Sequence, residues 1–172
     1  MAKAKNTEAA AENEAPKPQP SLQIRTQYVK DISFESPSSP QCFISPGDAP
    51  QLDLGVNVNG EKIDDTHFEI VLSVKATAKH EETILFDLEL DYAGIFVPEN
   101  VAEENINVFL MIEGPRMLFP FARQVVANVT REGGFMPLNL NPIDFVSLYR
   151  QNIAKRNAEK QDAENTDTGA GE

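Results

Sequence analysis

From Phe86 to Tyr92 the chain reads Phe-Asp-Leu-Glu-Leu-Asp-Tyr, apolar and acidic residues alternating without a break. Side chains of a strand point alternately to opposite faces. A strand here therefore puts Phe86, Leu88, Leu90 and Tyr92 on a core and Asp87, Glu89 and Asp91 on the other side, whereas a helix would scatter both sets. Same-face neighbours lie roughly 6.7 Å apart, so each adjacent carboxylate pair repels by about 0.6 kcal/mol even in water. The acidic side is either a solvated sheet face or a surface that a cationic partner would neutralise.

The segments around it repeat the period of two. Leu22, Ile24, Thr26, Tyr28, Ile32 and Phe34 share one parity, and Gln23, Arg25, Gln27, Asp31, Ser33 and Glu35 the other, which places Asp31 and Glu35 on the polar face. Pro37, Pro40, Pro46 and Pro50 then exclude regular pairing, so residues 36–51 form a loop. Its apolar centre, Cys42-Phe43-Ile44, either tucks the loop onto the body or contacts a ligand. A strand from Leu52 to Val58 ends at Asn59-Gly60, a turn signal. Phe68 to Ala78 follows with Phe68, Ile70, Leu72, Val74 and Ala76 inward, and Lys79-His80-Glu81-Glu82 closes a hairpin onto the alternating strand. Four strands joined mostly by short links predict an antiparallel sheet with one polar face.

After Pro98 the period becomes helical. Ala102, Ile106, Phe109 and Leu110 mark one helix that Gly114-Pro115 ends. Leu118 to Arg131 marks a second, with Pro120 near its start and Gly133-Gly134 as its stop. Leu118, Phe121, Ala122, Val125 and Val129 form one stripe of this helix, while Phe119, Val126 and Ala127 make much of the remainder apolar. Such a helix has two surfaces to bury, and the second suits another subunit or a well-covered monomer core. Val125, Val126, Ala127 and Val129 are the candidate interface. A last helix is signalled by Asn141 as cap, Pro142 in the first helical position and Asp144 in the first turn, with Phe145, Leu148, Tyr149 and Ile153 as its stripe. These elements predict an α+β domain over residues 22–153, between a disordered N-terminal extension (1–21) and a disordered acidic tail (154–172).

The chain carries 27 Asp and Glu against 15 Lys and Arg, a net charge of −12. Nine basic against nineteen acidic side chains lie in residues 21–150, so −10 of this belongs to the folded part. Nucleic acid, which is held by clustered Lys and Arg, is excluded as the natural partner. With Cys42 as the one cysteine and no apolar run of signal or membrane-span length, the expectation is a reducing compartment, the cytoplasm. His67 and His80 have no metal-ligand spacing, Gly133-Gly134 lacks the lysine of a phosphate loop, and the strand carboxylates are evenly spaced on one face. Acid/base catalysis needs carboxylates in unlike environments. The expectation is a binding protein rather than an enzyme, with no cofactor and no metal.

Four runs carry a resemblance: Tyr28-Val29-Lys30-Asp31-Ile32-Ser33-Phe34-Glu35-Ser36-Pro37, Gly94-Ile95-Phe96, Leu118-Phe119-Pro120-Phe121-Ala122-Arg123, and the run from Gly133-Gly134-Phe135 to Asn141-Pro142-Ile143-Asp144-Phe145. In this order, across about residues 22 to 150, they resemble the SecB family of bacterial protein-export chaperones. The resemblance implies a four-stranded antiparallel sheet with helices on one face, assembled as a homotetramer, a dimer of dimers. It also implies a holdase that binds unfolded precursor proteins and delivers them to the export motor SecA. By resemblance Asp31, Glu35 and Glu89 meet the zinc-bearing C-terminal end of SecA. Phe43, Ile44, Leu52, Leu54, Phe145 and Tyr149 are client-groove candidates on the same ground. Asp87 departs from the family, which usually has an apolar residue there, and the loop lacks the Trp that many members carry. An acidic oligomeric adaptor, binding a folded cationic partner through the sheet face, is the competing expectation.

Overall fold

The computed structural model describes residues 19–167 apart from residue 46, with side chains described as far as residue 157. The expectations for residues 1–18, Pro46 and 168–172 therefore lie outside the described residues. Strands β1 (Ser21–Glu35), β2 (Gln51–Lys62), β3 (Phe68–His80) and β4 (Thr83–Glu99) form one antiparallel sheet in the order β1-β4-β3-β2. A one-turn helix, α1 (Gln41–Ile44), interrupts the loop after β1, and helices α2 (Glu103–Glu132) and α3 (Phe145–Asp167) follow the sheet.

The alternation in β3 and β4 does what its period requires. Ile70, Leu72, Val74 and Ala76 of β3 and Leu88, Leu90, Tyr92 and Phe96 of β4 are buried on the helix side. Their outward neighbours stay at the surface because β3 and β4 pair in register from Phe68↔Phe96 to Ala78↔Phe86.

β1 departs from the expected parity. Arg25 and Lys30 are extra residues opposite β4, since Ile24 pairs with Phe96, Thr26 with Ile95, Val29 with Tyr92 and Asp31 with Asp91. A single-residue bulge reverses the faces, so Thr26 and Tyr28 turn to the outer side, and the second bulge restores the expected sides from Asp31 onward. Tyr28 thereby donates its hydroxyl to Glu69 on the outer face instead of entering the core.

Two turn signals are overridden by packing. Asn59-Gly60 lies within β2, whose pairing with β3 continues without a shift to Lys62↔Phe68. The turn comes later, where the Asp64 carboxylate accepts the backbone N–H groups of Thr66 and His67. Gly60 serves close approach: a Cβ there would stand 2.9 Å from the Met111 sulfur of α2. Likewise Gly114-Pro115 does not end a helix, and Pro120 is not near a helix start. Both prolines lie inside the single 30-residue α2, with Gly114 against Ile70. Each proline forfeits one intrahelical hydrogen bond, and burial of Leu110, Met111, Leu118, Phe119, Ala122 and Val126 over the sheet offsets that loss.

The end of α2 and the segment that leads to α3 are tied together through Thr130, which is fully buried. Its hydroxyl donates to the Val126 carbonyl and accepts the Leu138 N–H, each at 2.9 Å. Gly134 adopts φ +86°, a conformation suited to glycine, and Phe135 N–H returns to the Thr130 carbonyl. The cap of α3 is Asp144 rather than Asn141: its carboxylate accepts the N–H groups of Val146 and Ser147 and the Ser147 hydroxyl at 2.7 Å. These donors, the Ser147 hydroxyl foremost, hold the Asp144 carboxyl below the usual carboxylate range. α3 runs as backbone helix to Asp167, past the point where an ordered chain is expected to stop, in keeping with the helix-favouring Ala, Glu, Lys and Gln of that stretch. Ser21, placed in the extension by composition, already belongs to β1.

Candidate functional site

Three distant segments converge at the end of the sheet where β4 begins. Phe34 closes β1, Phe86 opens β4, and Phe135 follows the Gly133-Gly134 stop. Phe135 lies 5.0 Å from Phe86 and 6.4 Å from Phe34 between ring centroids, and Phe34 stacks on Phe86 at 5.7 Å. Helix α1 adds Phe43, whose ring is 5.1 Å from Phe135. The loop that carries α1 is pinned to the sheet by the Ser36 hydroxyl, which donates to the Leu85 carbonyl at 2.9 Å.

Beside this cluster lies a cavity of about 710 Å³, lined by Cys42, Phe43, His80, Leu85, Phe135 and Met136 among others. Phe43 is 46% exposed, Ile44 75% and Met136 89%, so apolar side chains rim a cavity built on ordered rings. An open apolar concavity with few ionisable groups suits an apolar polypeptide segment better than a polar metabolite.

The expected groove residues divide in four. Phe43 lines the cavity, and Ile44 stands exposed beside it on α1. Leu52 and Leu54 are half-exposed on the helix-side face of the edge strand β2, where they pair with Ala78 and Ala76. Tyr149 packs partly against the core. Phe145 is corrected: at 3% exposure and edge-on to Phe119 at 5.9 Å, it is a core residue with no surface to offer. Phe135 and Met136, which line the cavity, are additions, and Phe34 and Phe86 back Phe135 from the core side. The apolar parity of Phe34 and Phe86 was readable, but nothing local in the sequence brings these segments together.

The outer face collects the carboxylates. Asp31 stands opposite Asp91 and Glu35 opposite Asp87 across β1 and β4, with Ser33 opposite Glu89 between them. Glu89 is held by Lys75 of β3 at 2.5 Å, and Asp87 accepts the Thr77 hydroxyl at 2.6 Å. Asp31 and Glu35 make no such ion pair among the described residues, so Asp31, Glu35 and Glu89 share one face but differ in how far they are neutralised. Further along, Glu69 accepts both the Lys30 ammonium at 2.5 Å and the Tyr28 hydroxyl. These donors hold the Glu69 carboxyl below its ordinary range, Lys30 contributing most. The Glu69 carboxylate pushes Tyr28 up to about 12.

The candidate interface on α2 is also redrawn. Val126 is 0% exposed and lies in the core of the sheet and helices, so it faces no partner. Val125 and Val129 pack partly against the same core, and Ala127 is half-buried. The exposed apolar residues of this helix are instead Val108, Met117 and Phe121, the last two beside Ile24 of β1. Among the described residues, no helix is long and apolar enough to cross a membrane.

The family model described as preprotein translocase subunit SecB matches residues 15–156. A protein-export protein SecB of Afipia carboxidovorans is 50% identical over 155 residues, covering 90% of this chain and 94% of the relative. One from a Bradyrhizobium species is 46% identical over 141 residues, covering 82% and 87%. One from Maricaulis maris is 45% identical over 150 residues, covering 87% of each. Among solved structures, a SecB-like chaperone of Mycobacterium tuberculosis, in complex with a ChAD peptide from the HigA1 antitoxin, matches with a TM-score of 0.59. It is 19% identical and covers 71% of this chain and 90% of its own.

Proposed function

Because this chain belongs to the SecB family of protein-export chaperones, we propose that it is a cytoplasmic holdase that binds unfolded precursor proteins and delivers them to SecA. The observation that carries the reading is the groove: exposed Phe43, Ile44 and Met136 at a cavity that Phe135 lines, with Phe34 and Phe86 packed behind that ring. Each apolar anchor that a client fully covers contributes about 1.5 to 3 kcal/mol. A few such anchors give useful affinity for many sequences without reading any one of them. Leu52, Leu54 and Tyr149 extend the apolar surface beyond the cavity, and no cofactor is needed.

Delivery uses the other side of the sheet. Asp31, Glu35 and Glu89 receive a cationic segment of SecA, whose charge relieves the opposed carboxylates. The subunits assemble as a dimer of dimers, and the exposed Met117 and Phe121 of α2 are the residues that such an assembly would cover. The competing adaptor reading uses the acidic face alone and leaves the exposed rim of the groove without a purpose. Light scattering with one client protein, unfolded and folded, separates the two. A holdase forms a complex with the unfolded form alone; equal binding of the folded form, or none of the unfolded, refutes it.

A further inference from the structure

Among the described residues Met136 is the most exposed of the large apolar side chains, and the backbone on either side of it is anchored. The residue before it, Phe135, is anchored by three aromatic contacts and by its N–H to Thr130. Pro137 follows with its fixed backbone angle, and Leu138 N–H is bound to the buried Thr130 hydroxyl. The backbone is thus held on both sides of Met136, whose side chain is 89% exposed. Of the other methionines among the described residues, Met111 is buried against Gly60 and Met117 is 36% exposed.

A thioether reacts with peroxides according to its access to solvent, and the sulfoxide turns a flexible apolar side chain into a polar one. We propose that Met136 is an oxidation-sensitive residue of the client groove: hydrogen peroxide converts it to the sulfoxide and lowers the groove's affinity for unfolded chains. The sulfur attacks one peroxide oxygen, the O–O bond breaks as the S–O bond forms, and the second oxygen leaves as water with both peroxide protons. Sulfur loses the two electrons that the peroxide gains. Thiol-dependent methionine sulfoxide reductases reverse the change. This inference rests on the groove reading above.

The experiment uses the full chain carrying Cys42→Ser, so that thiol oxidation does not intrude. Trypsin cuts after Lys79, Arg116, Arg123 and Arg131, placing Met111, Met117 and Met136 in three separate peptides. Under graded hydrogen peroxide, mass spectrometry should find the sulfoxide at Met136 before Met117, with Met111 last. Affinity for an unfolded client, measured by calorimetry, should fall about tenfold, the cost of losing one apolar anchor, and recover after reductase treatment. Met136→Leu, measured against itself before peroxide, should show no loss of client affinity after it, because no thioether remains in the groove to oxidise. Sulfoxide forming first at Met117 or Met111 overturns the inference, as does unchanged client affinity with Met136 oxidised, or an equal loss in Met136→Leu. An unoxidised wild-type chain, with Cys42 intact, that fails to bind the unfolded client refutes the groove reading itself, a distinct result.

Discussion

Asp31 of β1 and Asp91 of β4 stand directly opposite each other on the outer face of the sheet, and Glu35 and Asp87 repeat the arrangement four residues away. Like charges placed so destabilise a strand pair. Replacing Asp31 by Asn is expected to leave the fold as stable or more stable by a few tenths of a kcal/mol. The same change should weaken SecA binding. Urea denaturation and calorimetry with the C-terminal segment of SecA measure the two effects, and a loss of both stability and binding would mean that Asp31 serves the fold.

Glu89 offers the sharper reversal. It is already paired with Lys75, so Glu89→Lys sets two ammonium groups opposite each other in the middle of the face. SecA affinity should fall far more than with Glu132→Lys, a control at the end of α2. Wild-type SecA binding should weaken steeply with salt, since the Debye length at physiological ionic strength is about 8 Å. Client binding through apolar contact should change little in the same titration.

The two sides of α2 should respond oppositely to charge. Val126→Asp buries an unpaired carboxylate and is expected to cost at least about 3 kcal/mol, lowering the melting temperature sharply. Phe121→Asp lies on the exposed side and should leave a folded subunit that sediments as a smaller species than the tetramer proposed for the wild type. A wild-type chain that sediments as a monomer at micromolar concentration contradicts the assembly.

The network of Tyr28, Lys30 and Glu69 makes stability depend on pH at both ends. Glu69 is held below its ordinary value of 4.5, so its contribution is present above that pH and is lost as pH falls through its folded value. Tyr28 is raised from 10.0 to about 12, so its contribution is present below pH 10 and fades as pH climbs toward 12. Tyr28→Phe should cost about 1 kcal/mol at neutral pH and flatten the alkaline limb of the melting temperature. Thermal melts across pH check both.

How much could be read from the sequence depended on where packing intervened. β3 and β4 were legible because each pairs regularly on the helix-covered side, and the period of two survives intact. β1 was legible at Leu22 and Ile24 and again from Asp31 onward, but not between, since no glycine or proline marks the bulges at Arg25 and Lys30. Asn59-Gly60 and Gly114-Pro115 carry turn and stop chemistry, yet both serve the close approach of α2 to β2 and β3, a demand that local patterns do not record. Phe43 announced itself as an apolar residue in a proline-rich loop. Its ring partner Phe135, and Phe34 and Phe86 packed behind that ring, come from three separated segments and became a site only through the topology.

The groove is tested most directly through Cys42, the chain's one cysteine, which lines it. A photo-crosslinker attached to that thiol should capture an unfolded client on illumination and leave the folded form of the same protein uncaptured. Formation of the client complex by light scattering with no crosslink from Cys42 would place the client elsewhere and contradict the account.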